Sequence, residues 1–151
     1  MTAIQKIQLA AIWLWAGIAI GGNMIAAPVK FQVSSLTTAE LLLVGRAQFG
    51  WLGVVEIAFA TGIAAMVIFR WHAASPALIA AIALLALQQG VLTPILQSRS
   101  DMMQTDVVPP ESHVHLIFIA AELVKLTMLF WAGWRVMPPA GAQLLANNPT
   151  P

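Results

Sequence analysis

The sequence predicts an all-α integral membrane protein, a bundle of four transmembrane helices. Three observations carry this. Four apolar blocks, at roughly 7–27, 48–69, 77–97 and 113–134, fill most of the 151 residues. Each has about the 20 residues a helix needs to cross a bilayer core. The chain is 60% hydrophobic and only 9% charged, with a mean hydropathy of +0.83, whereas a soluble domain has about a quarter of its residues charged. Every block also carries polar residues that a lipid-facing helix would not tolerate: Asn23, Glu56, Gln88 with Gln89, and Glu122 with Lys125. Such groups are costly at membrane depth, so they face a bundle interior or a cavity and mark a site.

Composition narrows the chemistry. The length fits one domain, a transmembrane unit over 1–137 followed by a small, polar, proline-containing tail at 138–151 that reads as disordered. A net charge of +1, thinly scattered, does not suggest a nucleic-acid partner. With no cysteine, disulfides, Fe–S clusters and thiolate-bound copper or zinc are excluded. With no tyrosine, so is a phenolic acid or tyrosyl radical. No Ser/His/Asp set or phosphate loop is present, and nothing singles out a catalytic residue.

The first block has one competing reading, a cleaved signal peptide, because Lys6 precedes the apolar run. The run is long and the charged region thin, which favours a retained helix with Trp13 and Trp15 as interfacial anchors. Pro28 ends the block, leaving a loop at 29–36. Thr37 and Glu40 form a capping box, with Leu36 and Leu41 at its staple positions. The second helix therefore starts near Thr38, and the stretch to Arg70 is roughly 50 Å long at 1.5 Å per residue. That exceeds the bilayer core, so the helix should project, tilt or bend, near Gly45 or Gly50. A tight hairpin at 71–75 leads to Ser75-Pro76, an N-cap followed by proline at the first helical position. Pro94 lies near the end of the third helix and can kink it. The loop 98–112 holds Asp101, Asp106 and Glu111. Pro109-Pro110 opens the fourth helix and Pro138-Pro139 closes it.

Cations do not settle orientation. Lys6, Arg70 and Arg135 flank one side and Lys30, Arg46 and Arg99 the other, an even split under the positive-inside rule. The short hairpin and the flanking cations favour both termini on the cytoplasmic side of a bacterial inner membrane, with the longer acidic loops outside.

The polar residues fall in one layer. Glu56 lies eight residues into its block and Glu122 nine into the parallel block, both about 12–14 Å below the outer boundary. Gln88 and Gln89 reach a similar depth and Asn23 is shallower. On the fourth helix His115, Glu122 and Lys125 share an arc of roughly 80° at 100° per residue, and Glu122 and Lys125 can pair at i,i+3. Arg46 and Glu56 share a similar arc. The expectation is a cleft opening outward, floored by Glu56, Glu122 and Lys125 and rimmed by Arg46, His113 and His115. A membrane carboxylate that alternates between protonated and ionised states is what a proton-coupled carrier needs. The plainer alternative is that these groups hydrogen-bond across the bundle and fix helix register.

His113 and His115 are candidate metal ligands, with Met102, Met103 and acidic residues nearby in sequence. His, Met and carboxylate all suit copper, but nothing completes a shell at standard spacing. Glu-x-x-His pairs for a di-iron bundle are absent, and His72 lies at the opposite face from the other two, against a haem spanning helices. Copper or haem is therefore not favoured. Gly17 and Gly21 form a small-x-x-x-small motif, and Gly50 and Gly53 a smooth patch on the second helix. Internal packing is the favoured role, a homodimer seam the alternative.

Several segments together resemble a known family. They are 17–31 with Ala27-Pro28-Val29-Lys30-Phe31, then Val44-Gly45-Arg46-Ala47-Gln48-Phe49, then Leu92-Thr93-Pro94-Ile95-Leu96-Gln97-Ser98-Arg99, and His115 opening the fourth helix. The pattern resembles a family of small four-helix membrane proteins, its function not established, that includes human transmembrane protein two hundred and five. That family looks similar to copper-resistance membrane domains and to a small membrane protoporphyrinogen oxidase. The resemblance implies a four-helix membrane bundle, and its human relative is associated with metal-drug tolerance. The Glu56, Glu122 and Lys125 combination has no counterpart in the family pattern. The leading expectation is a non-enzymatic membrane protein that binds or transports a proton, an ion or a small molecule. The alternatives are an accessory or assembly subunit of a larger membrane complex, or a metal- or haem-linked membrane oxidoreductase.

Overall fold

The computed structural model describes residues 1–69, 75–105 and 107–137. Among them every regular element is helical, and four helices are long and apolar enough to cross a membrane: α1 (Ala3–Gln32), α2 (Thr38–Ile68), α3 (Pro76–Gln104) and α4 (Val114–Val136). The readings that involve Arg70, the hairpin with His72, Asp106, Pro138-Pro139 and the tail lie outside the described residues.

Local chemistry sets the starts. Thr2 caps α1 with Gln5 reaching back. Thr37 and Glu40 cap α2 reciprocally, each satisfying an orphan backbone donor. Ser75 accepts from the Leu78 N–H, with Pro76 in the first turn. α2 continues as one α-helix past Gly45 and Gly50.

Two expectations about prolines are corrected. Pro28 does not end the first helix, and 29–36 is not all loop. α1 is α-helical over Ala3–Ala19, π-helical over Ile20–Ala26, and continues through Ala27–Val29 and a 3-10 turn at Lys30–Gln32. α3 likewise passes Pro94: a π segment at Gln88–Leu92 precedes an α-helical Thr93–Gln104, so residues 98–104 are helix. Each π segment stops at the residue before an X-Pro pair, Ala27-Pro28 or Thr93-Pro94. Proline lacks an N–H and its ring crowds the preceding turn. A local switch to wider π spacing absorbs this inside an apolar helix.

α4 packs along α3 and α1, and α1 packs along α2, while α2 and α3 touch only sparingly. The packing divides the bundle lengthwise. Towards the end that holds the N-terminus of α3 and the C-terminus of α4, a closed core joins Ile12, Ala16, Ile63, Leu78, Ala81 and Leu129. Towards the end that holds the starts of α2 and α4, the helices leave a cavity.

The buried face of α1 runs Gln8, Ile12, Trp15, Ala16, Ala19, the i, i+4, i+7, i+8, i+11 spacing of one helix face. Trp15 is therefore fully buried, which corrects its reading as an interfacial anchor. Trp13, half-buried, meets Phe130 edge-on at 5.3 Å between ring centroids and lies against Gly133, where an added Cβ would come 3.0 Å from the indole. The internal role expected of Gly17 and Gly21 is also corrected: neither has an atom within 4 Å of a notional Cβ. Close approach falls instead to Gly22 against Leu52, Gly45 against Lys30, Gly53 against Gln89, and Gly133 against Trp13.

Candidate functional site

α4 uses a heptad-like set of buried positions: Phe118, Glu122, Lys125, Leu126, Leu129, Ala132 and Gly133. Two are ionisable, so the spacing that builds the apolar core lower down carries a carboxylate and an ammonium into the centre above it. Lys125 lies 2.9 Å from Glu122 (Nζ to Oε2), the i,i+3 pair foreseen in sequence, and it also pairs with Glu56 of α2 through Oε2. All three side chains are almost wholly buried.

The triad is anchored by neutral groups from the other two helices. The Trp15 indole Nε1 donates to Glu56 Oε2 at 3.1 Å, and Asn23 Nδ2 reaches Glu56 Oε1 at 3.5 Å. Gln88 Nε2 donates to Glu122 Oε2 at 2.9 Å and lies 3.5 Å from the Phe118 carbonyl. A continuous chain thus runs Asn23–Glu56–Lys125–Glu122–Gln88, with Trp15 on its side. Asn23 and Gln88 both sit in the π segments, and single-turn π segments recur at functional sites. Gln48 adds a brace from α2, its Nε2 donating to the Gly22 carbonyl at 2.8 Å.

Above this layer lies a cavity of about 480 Å³, lined from all four helices. That is within the usual range for small-molecule sites. Glu56, Glu122 and Lys125 reach its floor with Asn23 and Gln89, and Phe31, Phe49 and Phe118 are among its apolar walls. Gln89 turns into the cavity over Gly53, where an added Cβ would come 2.6 Å from Oε1, so glycine there makes room for the amide. Lys30 lies at the wall over the Phe31 and Phe49 rings, 5.3 and 5.1 Å from their centroids. Arg46 is exposed at the rim and pairs with Asp101 of α3.

The structure therefore brings Asn23, Glu56, Gln88, Gln89, Glu122 and Lys125 into one layer and puts Arg46 and His115 on the cavity lining. It does not bring His113 there, which corrects that part of the expected rim. Among the described residues no cluster of three His, Asp or Glu side chains is arranged to hold a metal. Sequence reasoning missed Trp15, Lys30 and the buried Gln8. Face periodicity on α1 would have found Trp15 and Gln8. Lys30 is hidden from such reasoning because the Pro28 stop rule predicts a loop where the helix continues.

Comparisons with protein-family models, with curated proteins and with solved structures find no match to this chain.

Proposed function

We propose that this chain is a multi-pass membrane protein of a bacterial inner membrane, with both termini cytoplasmic, that binds or carries a proton, an ion or a small molecule. Glu56 and Glu122 are its switchable carboxylates. The observation that carries this reading is the Glu56–Lys125–Glu122 triad, buried inside the four-helix bundle and reaching the floor of a cavity. Register-fixing polar pairs need only satisfy one another. Here the same groups also line open space.

Lipid exposure is supported by large apolar side chains turned outward along the helices, among them Trp51, Leu116 and Trp134; a soluble monomer does not expose apolar surface on this scale. We also place the chain with the four-helix family its segments resemble. The absence of cysteine gives a clean test of topology. Thr2→Cys should resist an impermeant maleimide added outside intact cells, and Ser34→Cys should react. The opposite pattern reverses the orientation.

The functional test uses purified protein in vesicles with a trapped pH dye under a potassium diffusion potential. Proton entry should exceed that of protein-free vesicles, and Glu56→Gln and Glu122→Gln should abolish the excess while still eluting as folded protein. Equal rates in wild type and both variants would sink the role of the carboxylates.

One observation favours a second reading, an accessory subunit. Gly17 and Gly21 lie on an open face of α1, where a partner helix could approach closely. Co-purification of a second membrane protein, lost in Gly17→Leu, would favour it.

A further inference from the structure

The cavity holds several charges, and their partners say what the floor lacks. Each cation on the lining is engaged. Lys125 pairs with two carboxylates, Arg46 with Asp101, and Lys30 lies over two phenyl rings. The acceptors are not all engaged. Glu122 Oε1 and Asn23 Oδ1, both from cavity-lining residues, are buried with no hydrogen-bond partner. Gln88 Oε1, on the same hydrogen-bonded chain, is also unpartnered. A buried acceptor left without a donor costs free energy, the more so when charged. Two carboxylates against one ammonium also leave the triad one negative charge in excess when all three are ionised.

We propose that the floor receives the ammonium group of a hydrophobic organic amine, its N–H groups donating to Glu122 Oε1 and Asn23 Oδ1 and its charge balancing the triad. This rests on the ligand-binding reading above and names its ligand class. The body of the ligand occupies the space between Phe31, Phe49 and Phe118, whose rings suit an apolar or aromatic group. A bare metal ion would leave most of a 480 Å³ apolar space unfilled. An anion would meet two carboxylates at the floor. The unpartnered Ser100 Oγ, higher on the lining, can donate or accept and so discriminates neither way.

The test uses three probes of matched body: 4-phenylbutylammonium, 4-phenylbutanol and 4-phenylbutyrate. Each is titrated calorimetrically into the full chain in a non-ionic detergent, with empty micelles as the blank. The ammonium should bind at least about tenfold more tightly than the alcohol or the carboxylate, the scale of a charge-assisted hydrogen bond. Glu122→Gln, which removes the excess charge, should lose that preference. Asn23→Ala, which keeps the triad, should weaken the ammonium several-fold and leave the alcohol unchanged. Equal binding of ammonium and alcohol overturns the proposal, as does preference for the carboxylate. The wild-type series decides this even if a variant fails to fold. If proton entry depends on Glu56 and Glu122 but no probe binds, the amine proposal falls and the broader reading stands. If proton entry is independent of both and no probe binds, both fall.

Discussion

The two ends of this bundle are built from the same helices by the same spacing, yet one is closed and the other open. At the closed end, Ile12, Ala16, Ala81 and Leu129 fill positions that meet across α1, α3 and α4. At the open end, the corresponding positions carry Asn23, Gln88, Glu122 and Lys125, and α2 contributes Glu56. Apolar side chains close a bundle by dispersion contacts alone. Polar ones must satisfy each other's geometry first, and the π segments that hold Asn23 and Gln88 shift the backbone where they do so. The difference teaches that the open end is not a failure of packing. Gly53 and Gly22 bring helices or side chains close there too, and what remains is a walled space with an acidic floor.

The contrast can be broken most severely at Lys125. Lys125→Met should leave two buried carboxylates without their counter-charge and cost about 3–5 kcal/mol, read as a large fall in the melting temperature in detergent. A melt within error of wild type would mean the triad does not hold the open end together. Leu129→Ala at the closed end should cost about 2 kcal/mol or more, by opening a cavity where a fully buried side chain stood. Its cavity binding should be unchanged, since the site lies elsewhere along the bundle.

Glycine substitutions sharpen the comparison at smaller scale. Gly133→Ala drives a Cβ to 3.0 Å from the rigid Trp13 ring and should cost about 1–3 kcal/mol. Gly53→Ala meets only the movable end of Gln89, so the melt should shift little while the amide is displaced into the cavity and probe binding weakens. Comparable melts for the two would contradict this account of which neighbour can yield. The smallest effect is expected at the rim. Arg46→Ala breaks an exposed pair with Asp101 and should change stability by less than about 1 kcal/mol, with the residual effect fading at high salt.

Much of the site was readable before the fold. Depth counting put Glu56, Gln88, Gln89 and Glu122 at one level, and helical geometry paired Glu122 with Lys125. One partner of Glu56, Trp15, was not readable, because 41 positions separate the two and tryptophan near the start of an apolar helix has an ordinary interfacial meaning. The prolines misled for a related reason. Proline's local rule is to stop a helix. In α1 and α3 the preceding π turn takes up the defect and the helix goes on, which moves Lys30 and Ser100 onto the cavity lining.

Sequence by itself determined four apolar helices, their caps at Thr37 and Ser75, and the existence of a polar layer, since these follow from short-range periodicity and from hydropathy. Only the tertiary structure decided which carboxylate oxygens are satisfied and which are buried without a donor. Helix spacing fixes the direction of a side chain from its own axis. Whether a donor waits there depends on a neighbouring helix, and the π turns that bring Asn23 and Gln88 into line have no signature in the hydrophobic pattern.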